Sequence, residues 1–287
     1  MWSSETPNGL IQASDGNFYG TTLEGGNLNG ICGSGCGTIF KITPSGKFAV
    51  LYSFCALTFC TDGAQPRPGL VQATDGNFYG TTLIGGANGP GTVFRLTPNG
   101  VFTTLYSFCS QPNCTDGAQP GGLMQATDGN FYGTTADGGS TTACHDTGGC
   151  GTVFRITPQR SLTTLHSFDA TDGALPVGVP TQSTSGTFYG TTNGGFFNEG
   201  TVFSLGVGLG PFVEALPSTS EEGCTVKILG TDLTGASSVT FNDTPAAFRV
   251  ASPTLIVTTV PSGATTGPVK VTTPERILVS NVAFRVR

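Results

Sequence analysis

Three aspartates recur in an Asp-Gly-Ala segment and are the residues best suited to acid/base chemistry: Asp62, Asp116 and Asp172. Two carboxylates about 5–10 Å apart could act as general acid and general base on a glycosidic bond. A residue that recurs in every repeat is explained more simply by the repeat itself, because an Asp side chain bonds the backbone of its own turn. We therefore interpret these aspartates as structural, with ligand binding as a second role.

Histidine supplies the other candidate base, and the chain has only two histidines, His145 and His166. His145 lies in a loop between two cysteines, where a solvated side chain is a simpler interpretation than a base. His166 stands where other repeats carry Tyr52 and Tyr106, which indicates a strand residue that replaces tyrosine. No GxSxG or HExxH motif occurs, so the sequence predicts no catalytic site. If the protein is an enzyme, the candidate catalytic residues are Asp62, Asp116 and His145.

Eight of the nine cysteines fall in close pairs, and each repeat loop holds both members of a pair or neither. Local disulfides predict this pattern, and they indicate an oxidising compartment. The predicted bridges are Cys32–Cys36, Cys55–Cys60, Cys109–Cys114 and Cys144–Cys150. A zinc site made by the first four of these cysteines is the alternative, but their spacing is loose and we predict no metal. We interpret the unpaired Cys224 as a buried strand residue.

Aromatic side chains in loops are candidate ligand contacts. Most of the 20 phenylalanines recur at fixed positions of the repeat and are interpreted as core. Phe59 lies between two cysteines, however, and Phe196 and Phe197 follow two glycines. Exposed rings on a loop-rich face suit stacking on sugars or docking of a protein. The candidate binding residues are Phe59, Phe196, Phe197, Asp62, Asp116 and Asp172.

A repeated string sets the positions of all these residues. Phe-Tyr-Gly-Thr-Thr occurs four times, and its starts at Phe18, Phe78, Phe131 and Phe188 are 60, 53 and 57 residues apart. Periods of about 50 residues built from short strands are typical of propellers and related arrays, in which one unit must stack on its neighbours.

The second repeat predicts four strands, a to d, over residues 70–73, 77–82, 91–97 and 101–108. Asp75-Gly76 favours a two-residue turn of the primed type between a and b, and a proline-glycine turn joins c to d. In this meander the b–c and d–a connections vary in length and share one end of the unit, which we call the variable loop face. Because loops on a rigid scaffold carry function, we expect a binding site there.

The fourth repeat is incomplete, because Thr201-Val202-Phe203 supplies strand c but no strand d follows. Either the N-terminal residues 1–4 complete this unit and close a four-bladed ring, or the chain is the end of a longer array. The second explanation is favoured, because Met1 to Ser4 is short for a closing strand. Trp2-Ser3 followed by residues 7–10 is interpreted as the tail of a strand d joined to a shortened d–a connection. The open edge of strand c needs a cover. We rank the linker 207–215 first, ahead of the N-terminal residues and of self-association.

Beyond residue 208 the repeat ends and valine and threonine alternate in short runs, as at Val226 to Leu229 and Val269 to Thr273. Period-two alternation bounded by Gly, Pro, Asn and Asp is typical of a β-sandwich. The predicted fold is therefore all-β: a propeller-like array of four-stranded repeats over residues 1–208, and a small immunoglobulin-like β-sandwich over residues 209–287.

Both parts resemble known families. The tandem pattern DGNFYGTT, GG, GTVF, TP and LYSF, over residues 9–205, resembles the GloVer repeat of large exported bacterial proteins, named for Gloeobacter and Verrucomicrobia. Gly230, Val260-Pro261 and Gly267 lie in a segment, residues 211–287, that resembles the IPT/TIG domain. The first resemblance implies a propeller-like surface or secreted protein of largely undefined activity. The second implies a module of surface proteins, polysaccharide-acting enzymes or transcription factors.

The formal net charge of −6 argues against nucleic acid as a partner, because an acidic chain offers no basic surface for a phosphate backbone. No apolar run reaches the length of about 18 residues that spans a membrane, and no export signal opens the chain. We predict an exported or cell-surface, non-catalytic protein without a cofactor, whose loop face binds a glycan or a protein. An extracellular hydrolase or lyase that acts on carbohydrate is the alternative.

Overall fold

The computed structural model of the chain describes residues 7–28, 31–140, 144, 148–195 and 199–287. Regular structure in these residues consists of β-strands and two 3-10 turns, Thr58–Cys60 and Pro112–Cys114. No helix in this part of the chain is long and apolar enough to cross a membrane. The chain divides into two compact units: residues up to Thr181 with Tyr189–Phe203, and Gln182–Phe188 with Ser204–Arg287.

The first three repeats each form an antiparallel sheet, here called a blade, with strands in the order a, b, c, d. Blade 1 consists of β1 (Pro7–Gln12), β2 (Phe18–Thr22), β3 (Thr38–Ile42) and β4 (Phe48–Ser53). In blade 2 strand a is divided, so the strands are β5 (Ala64–Pro66), β6 (Val71–Gln72), β7 (Phe78–Ile84), β8 (Thr92–Leu96) and β9 (Phe102–Ser107). Blade 3 consists of β10 (Ala118–Gln125), β11 (Phe131–Asp137), β12 (Thr152–Ile156) and β13 (Leu162–Ser167).

The fourth repeat forms a sheet of three strands, β14 (Thr181–Gln182), β15 (Phe188–Thr192) and β16 (Thr201–Leu205). Within the described residues no strand pairs with the outer side of β16. The expectation that the linker covers this edge is wrong, because Phe212 N–H donates to Thr184 O in the a–b turn instead. The linker is rich in glycine, which packs poorly as a strand. Residues 7–10 begin strand a of blade 1, so their interpretation as part of a shortened d–a connection is wrong. Residues 1–4, which include the expected strand-d tail Trp2-Ser3, lie outside the described part.

The turn between strands a and b is a three-residue loop and not the primed turn that the sequence suggests. In blade 2, Gly76 N–H donates to Ala73 O and Ala73 N–H donates to Asn77 O. Of Asp75 and Gly76 only the glycine has a positive φ, 82°, whereas a primed turn of the Asp-Gly kind needs both. Asp75 instead accepts hydrogen bonds from the Asn77 side chain and the Tyr79 hydroxyl, at 2.9 and 2.8 Å.

Successive blades pack through the aromatic pair of the repeated string. Tyr19 of blade 1 stacks on Phe78 of blade 2, and Tyr79 of blade 2 stacks on Phe131 of blade 3, each with ring centroids 4.1 Å apart. All four rings are fully buried. Burial of such a ring contributes about 1.5–3 kcal/mol, so these junctions hold much of the core of the array.

Glycine is required beside this pair, because a Cβ at Gly80 would lie 2.6 Å from the ring of Phe94 in the neighbouring strand. Backbone hydrogen bonds also join the blades, since each d–a connection donates to the preceding b–c loop. The donor and acceptor pairs are Gln65 to Cys36, Gln119 to Pro90 and Leu175 to Cys150, at 2.8, 2.8 and 3.0 Å. The two kinds of variable loop are therefore fixed against each other.

The C-terminal part is a β-sandwich, as predicted. One sheet has the order β17 (Glu214–Leu216), β19 (Thr225–Leu229), β23 (Leu255–Thr259), β22 (Phe248–Ser252), and β18 (Thr219–Ser220) pairs with β26 (Arg285–Val286). The other sheet has the order β21 (Thr244–Pro245), β20 (Ser238–Phe241), β24 (Val269–Thr272), β25 (Ile277–Val279). Alternate residues such as Val226, Ile228 and Phe241 fill the core. Cys224 precedes β19 and is exposed, so the expectation of a buried residue is wrong.

Candidate functional site

Asp62 holds the d–a connection that leaves blade 1. Its carboxylate accepts hydrogen bonds from the Tyr52 hydroxyl at 2.7 Å and from the backbone N–H groups of Ala56 and Leu57 at 2.9 and 3.2 Å. The side chain is completely buried. Asp62 therefore belongs to the loop itself, and burial removes it from the set of residues that a ligand or substrate could touch.

Asp116 repeats this arrangement in the connection that leaves blade 2. It accepts from the Tyr106 hydroxyl at 2.7 Å, from Ser110 N–H at 2.9 Å and from Gln111 N–H at 3.2 Å. Burial, together with the bond to Asp116, raises the pKa of Tyr106 to about 12. The carboxylate is buried and its hydrogen-bonding capacity is used within its own loop.

Asp172 is the half-exposed member of the set. His166 takes the place of the tyrosine, and its Nε2 lies 2.6 Å from Asp172 Oδ2. The other carboxylate oxygen of Asp172 accepts from Asp169 N–H at 3.0 Å. His166 is thus a strand residue that preserves the tyrosine–aspartate contact with an imidazole, and the pair is more accessible than its two counterparts.

The cysteines are joined in the four pairs that their spacing predicts, with Cα atoms between 4.0 and 5.2 Å apart. The Sγ atoms of Cys36, Cys55 and Cys60 lie within 4.8 Å of one another, and all three side chains are buried. The loops therefore bring together three sulfurs of the zinc alternative. Zinc binds thiolates, and these sulfurs are bonded as disulfides instead.

Of the three aromatic candidates for ligand binding, the structure describes only Phe59. Phe59 is 87% exposed at the tip of a disulfide-bounded loop, and it has a positive φ of 57°. This backbone conformation is uncommon for a residue with a side chain. The exposed Phe59 ring lies on the variable loop face. Phe196, Phe197 and the candidate base His145 lie outside the described residues.

A cleft of about 380 Å³ opens between blades 2 and 3 on the variable loop face. The d–a connection of blade 2 forms one wall, and strand d and the b–c loop of blade 3 form the other. Apart from the buried Asp116, the lining has no charged group. The lining residues are Tyr106, Gln111, Thr115, Asp116, Ser140, Leu162, Thr164 and Ser167.

One substitution between repeats explains why this junction is open. At the junction of blades 1 and 2, Tyr52 stacks on Phe102 with centroids 4.0 Å apart and ring planes 7° from parallel. At the junction of blades 2 and 3, Leu162 occupies the position of Phe102, opposite Tyr106. Leucine fills less of the space than phenylalanine. The difference is visible in the sequence, because strand d reads FTTLYS in blade 2 and LTTLHS in blade 3. Residue types alone, however, did not predict a cleft at this junction.

Comparisons with known proteins concern the two parts separately. The family described as the Gloeobacter/Verrucomicrobia repeat matches residues 4–223, and the IPT/TIG domain matches residues 212–286. No curated protein matches the chain.

Solved structures with similar folds include enzymes of low identity. Virginiamycin B lyase from Staphylococcus aureus, in a catalytically inactive form, is 14% identical, with 97% of this chain and 86% of that chain covered and a TM-score of 0.45. A gluconolactonase from Xanthomonas campestris is 12% identical, with 96% and 85% covered and a TM-score of 0.45. An endo-arabinase from Bacteroides thetaiotaomicron is 11% identical, with 99% and 82% covered and a TM-score of 0.34. At these identities the likeness carries no inference about activity.

Proposed function

Since the chain belongs to the Gloeobacter/Verrucomicrobia repeat family, we propose that its repeat domain is a non-catalytic binding module whose cleft between blades 2 and 3 takes an uncharged glycan. The lining of that cleft carries the proposal. It offers hydroxyl and amide groups beside a leucine and a phenol ring, and its one carboxylate is already bonded. The disulfides support placement outside the cell or on its surface.

A sugar matches this lining group by group. The Gln111 amide and the hydroxyls of Thr164 and Ser167 can exchange hydrogen bonds with sugar hydroxyls, while Leu162 and the Tyr106 ring contact the apolar face of the sugar. An acidic ligand would find no cation among the lining residues. Uncharged sugars are therefore preferred over phosphorylated or acidic ligands.

A carbohydrate-active enzyme is the competing function, and the half-exposed His166–Asp172 pair favours it. An imidazole held by a carboxylate can act as a general base. Asp62 and Asp116, the candidates that the sequence predicts, do not favour it, because both are buried within their own loops. Product formation that depends on His166 would support this function over binding.

A glycan array with two matched variants tests the proposal. Leu162→Phe places at blades 2 and 3 the side chain that closes the junction of blades 1 and 2, so we expect at least tenfold weaker glycan binding with the fold unchanged. Phe102→Leu makes the reverse exchange at the other junction and should leave that binding intact. Binding by Leu162→Phe equal to that of the wild type would overturn the assignment to this cleft.

A further inference from the structure

Every blade has two faces, and among the described residues one face at each side of the array is left uncovered. The trailing face of a blade carries the tyrosine of the repeated string and an aliphatic residue of strand c. In blades 1 to 3 these residues are at most 1% exposed, and they are Tyr19, Ile39, Tyr79, Val93, Tyr132 and Val153. In blade 4 the equivalent residues, Tyr189 and Val202, are 46% and 77% exposed.

The leading face of blades 1 to 3 carries a leucine of strand a and the phenylalanine of the repeated string. Leu70 and Phe78 of blade 2 are buried against blade 1, and blade 3 presents the same pair to blade 2. In blade 1 the equivalent Leu10 is 54% exposed, and Phe18 is only partly buried. The two uncovered faces therefore carry the residues of strands a, b and c that meet at the internal junctions. The contact between strands d, Tyr52 on Phe102, has no counterpart in the three described strands of blade 4.

The internal junctions show which groups meet when these halves join. A tyrosine stacks on the following phenylalanine at 4.1 Å, and a glutamine of the following blade accepts a backbone N–H of the a–b turn. Ser14 N–H donates to Gln72 Oε1 at 2.7 Å in this way. Gln12 holds the equivalent position in blade 1, and its Nε2 donates to Gly16 O as Gln72 Nε2 donates to Gly76 O.

Blade 4 lacks the two charged side chains that lie beside the tyrosine in the internal blades. Internal blades place an aspartate of the a–b turn and an arginine of strand c beside the tyrosine, as Asp75 and Arg95 lie beside Tyr79. In blade 4 these positions are Ser185 and Ser204. The two positions that carry charge in the internal blades are therefore uncharged beside the exposed Tyr189 and Val202, which favours burial of these side chains.

We propose that the trailing face of blade 4 in one copy packs on the leading face of blade 1 in a second copy, in the register of the internal junctions. Tyr189 then stacks on Phe18, and Val202 and Leu10 are buried in the same contact. The partner is a second copy because, in the described part of the chain, blade 1 presents the same leucine, phenylalanine and glutamine with which blades 2 and 3 cover the preceding blade. The contact is heterologous, because two different surfaces meet.

Sedimentation at increasing concentration, with charge placed on either face, tests the proposal. We expect the mass of the wild-type protein to rise with concentration, and Val202→Glu and Leu10→Glu each to stay monomeric. Val101→Glu is the matched control, because Val101 is also exposed but lies at the c–d turn of blade 2. Circular dichroism checks that the variants are folded, and Tyr189→Ala serves as a second, uncharged disruption.

Mixing the two disrupted variants separates this contact from any other self-association. Leu10→Glu keeps an intact blade 4 face and Val202→Glu keeps an intact blade 1 face, so an equimolar mixture should form a dimer and nothing larger. A wild-type protein that stays monomeric at millimolar concentration would overturn the proposal. Variants that associate as the wild type does, or a mixture that stays monomeric, would overturn it as well.

Discussion

At the scale of single residues, the repeated carboxylates are explained by the bonds that they accept. Asp62, Asp116 and Asp172 each hold the start of a d–a connection, and each contacts the same position of strand d, filled by tyrosine or histidine. The substitution of His166 for tyrosine keeps that contact. The repeated aspartate of this chain therefore positions the variable loops.

Replacement of the buried aspartate tests this role. Asp62→Asn presents an amide N–H₂ to groups that are themselves donors, so we expect a loss of about 3 kcal/mol in the free energy of unfolding. Asp172→Asn is the matched control at a half-exposed site and should cost less than about 1 kcal/mol. Denaturant titration measures both changes. Equal stability of the two variants would contradict the account.

Sequence reasoning identified the structural aspartates and the tyrosine-like role of His166, because a repeat shows each residue in several equivalent contexts. It did not find the cleft, since that depends on the difference in volume between Leu162 and Phe102 across a junction. It also misplaced Cys224, because a single copy gives no equivalent position with which to compare burial.

At the scale of elements, the c–d turn of blade 3 is strained. Arg160 has φ 73° at the position where blades 1 and 2 have Gly46 and Gly100, at 83° and 85°. A residue with a side chain costs about 1–2 kcal/mol in this region, partly offset by the greater freedom of glycine in the unfolded chain. Arg160→Gly should therefore raise stability by up to about 1 kcal/mol.

The reverse exchange controls that prediction. A Cβ at Gly100 would meet Leu51 O at 3.5 Å, which is an ordinary contact. Gly100→Arg should therefore lower the unfolding free energy through φ alone, by about 1 kcal/mol. Thermal unfolding of both variants gives the comparison, and two changes of the same sign would contradict it.

Tyrosines of the a–b hairpins should make the free energy of unfolding fall at high pH. Burial, together with the bond to the turn aspartate, raises the pKa of Tyr79 and of Tyr132 to about 12 each. Because an unfolded tyrosine ionises near pH 10, these groups add stability that is complete below about pH 10 and is lost as pH rises through 12.

Unfolding midpoints measured from pH 8 to 12 should therefore fall above about pH 10, and Tyr79→Phe should show a shallower fall. Ultraviolet difference spectra report phenol ionisation in the same samples. Full ionisation of the tyrosines near pH 10 with the fold intact would contradict the predicted shifts.

The strands were the most predictable elements. Strands b, c and d follow from apolar periodicity between glycine and proline turns, and their order follows from the short connections. The break in strand a of blade 2 was not predicted; strand a of blades 1 and 3 has a register shift at the equivalent position, between Pro7 and Leu10 and between Pro120 and Leu123. The turn type was misjudged, since Asp-Gly occurs in both kinds of loop and the bonds that Asp75 accepts from Asn77 and Tyr79 decide between them.

At the scale of the whole molecule, the described part of the repeat domain consists of four sheets with a shared loop face, and a sandwich module follows it in the sequence. The open edge of the fourth repeat was predictable from its missing strand d. The uncovered faces were not, because they depend on how blades stack and not on which strands pair. The inferred head-to-tail contact therefore concerns the face of blade 4, around Tyr189 and Val202, and not the edge of β16.

The central claim is that the cleft between blades 2 and 3 binds a glycan and leaves it unchanged. Calorimetric titration with the tightest glycan from the array, followed by mass spectrometry of the recovered glycan, tests both halves together. The account predicts binding at one site per chain, loss of the signal in Leu162→Phe, and recovery of the glycan at its original mass. Recovery of a shortened or otherwise converted glycan, with the conversion abolished by His166→Ala or Asp172→Asn, would contradict it.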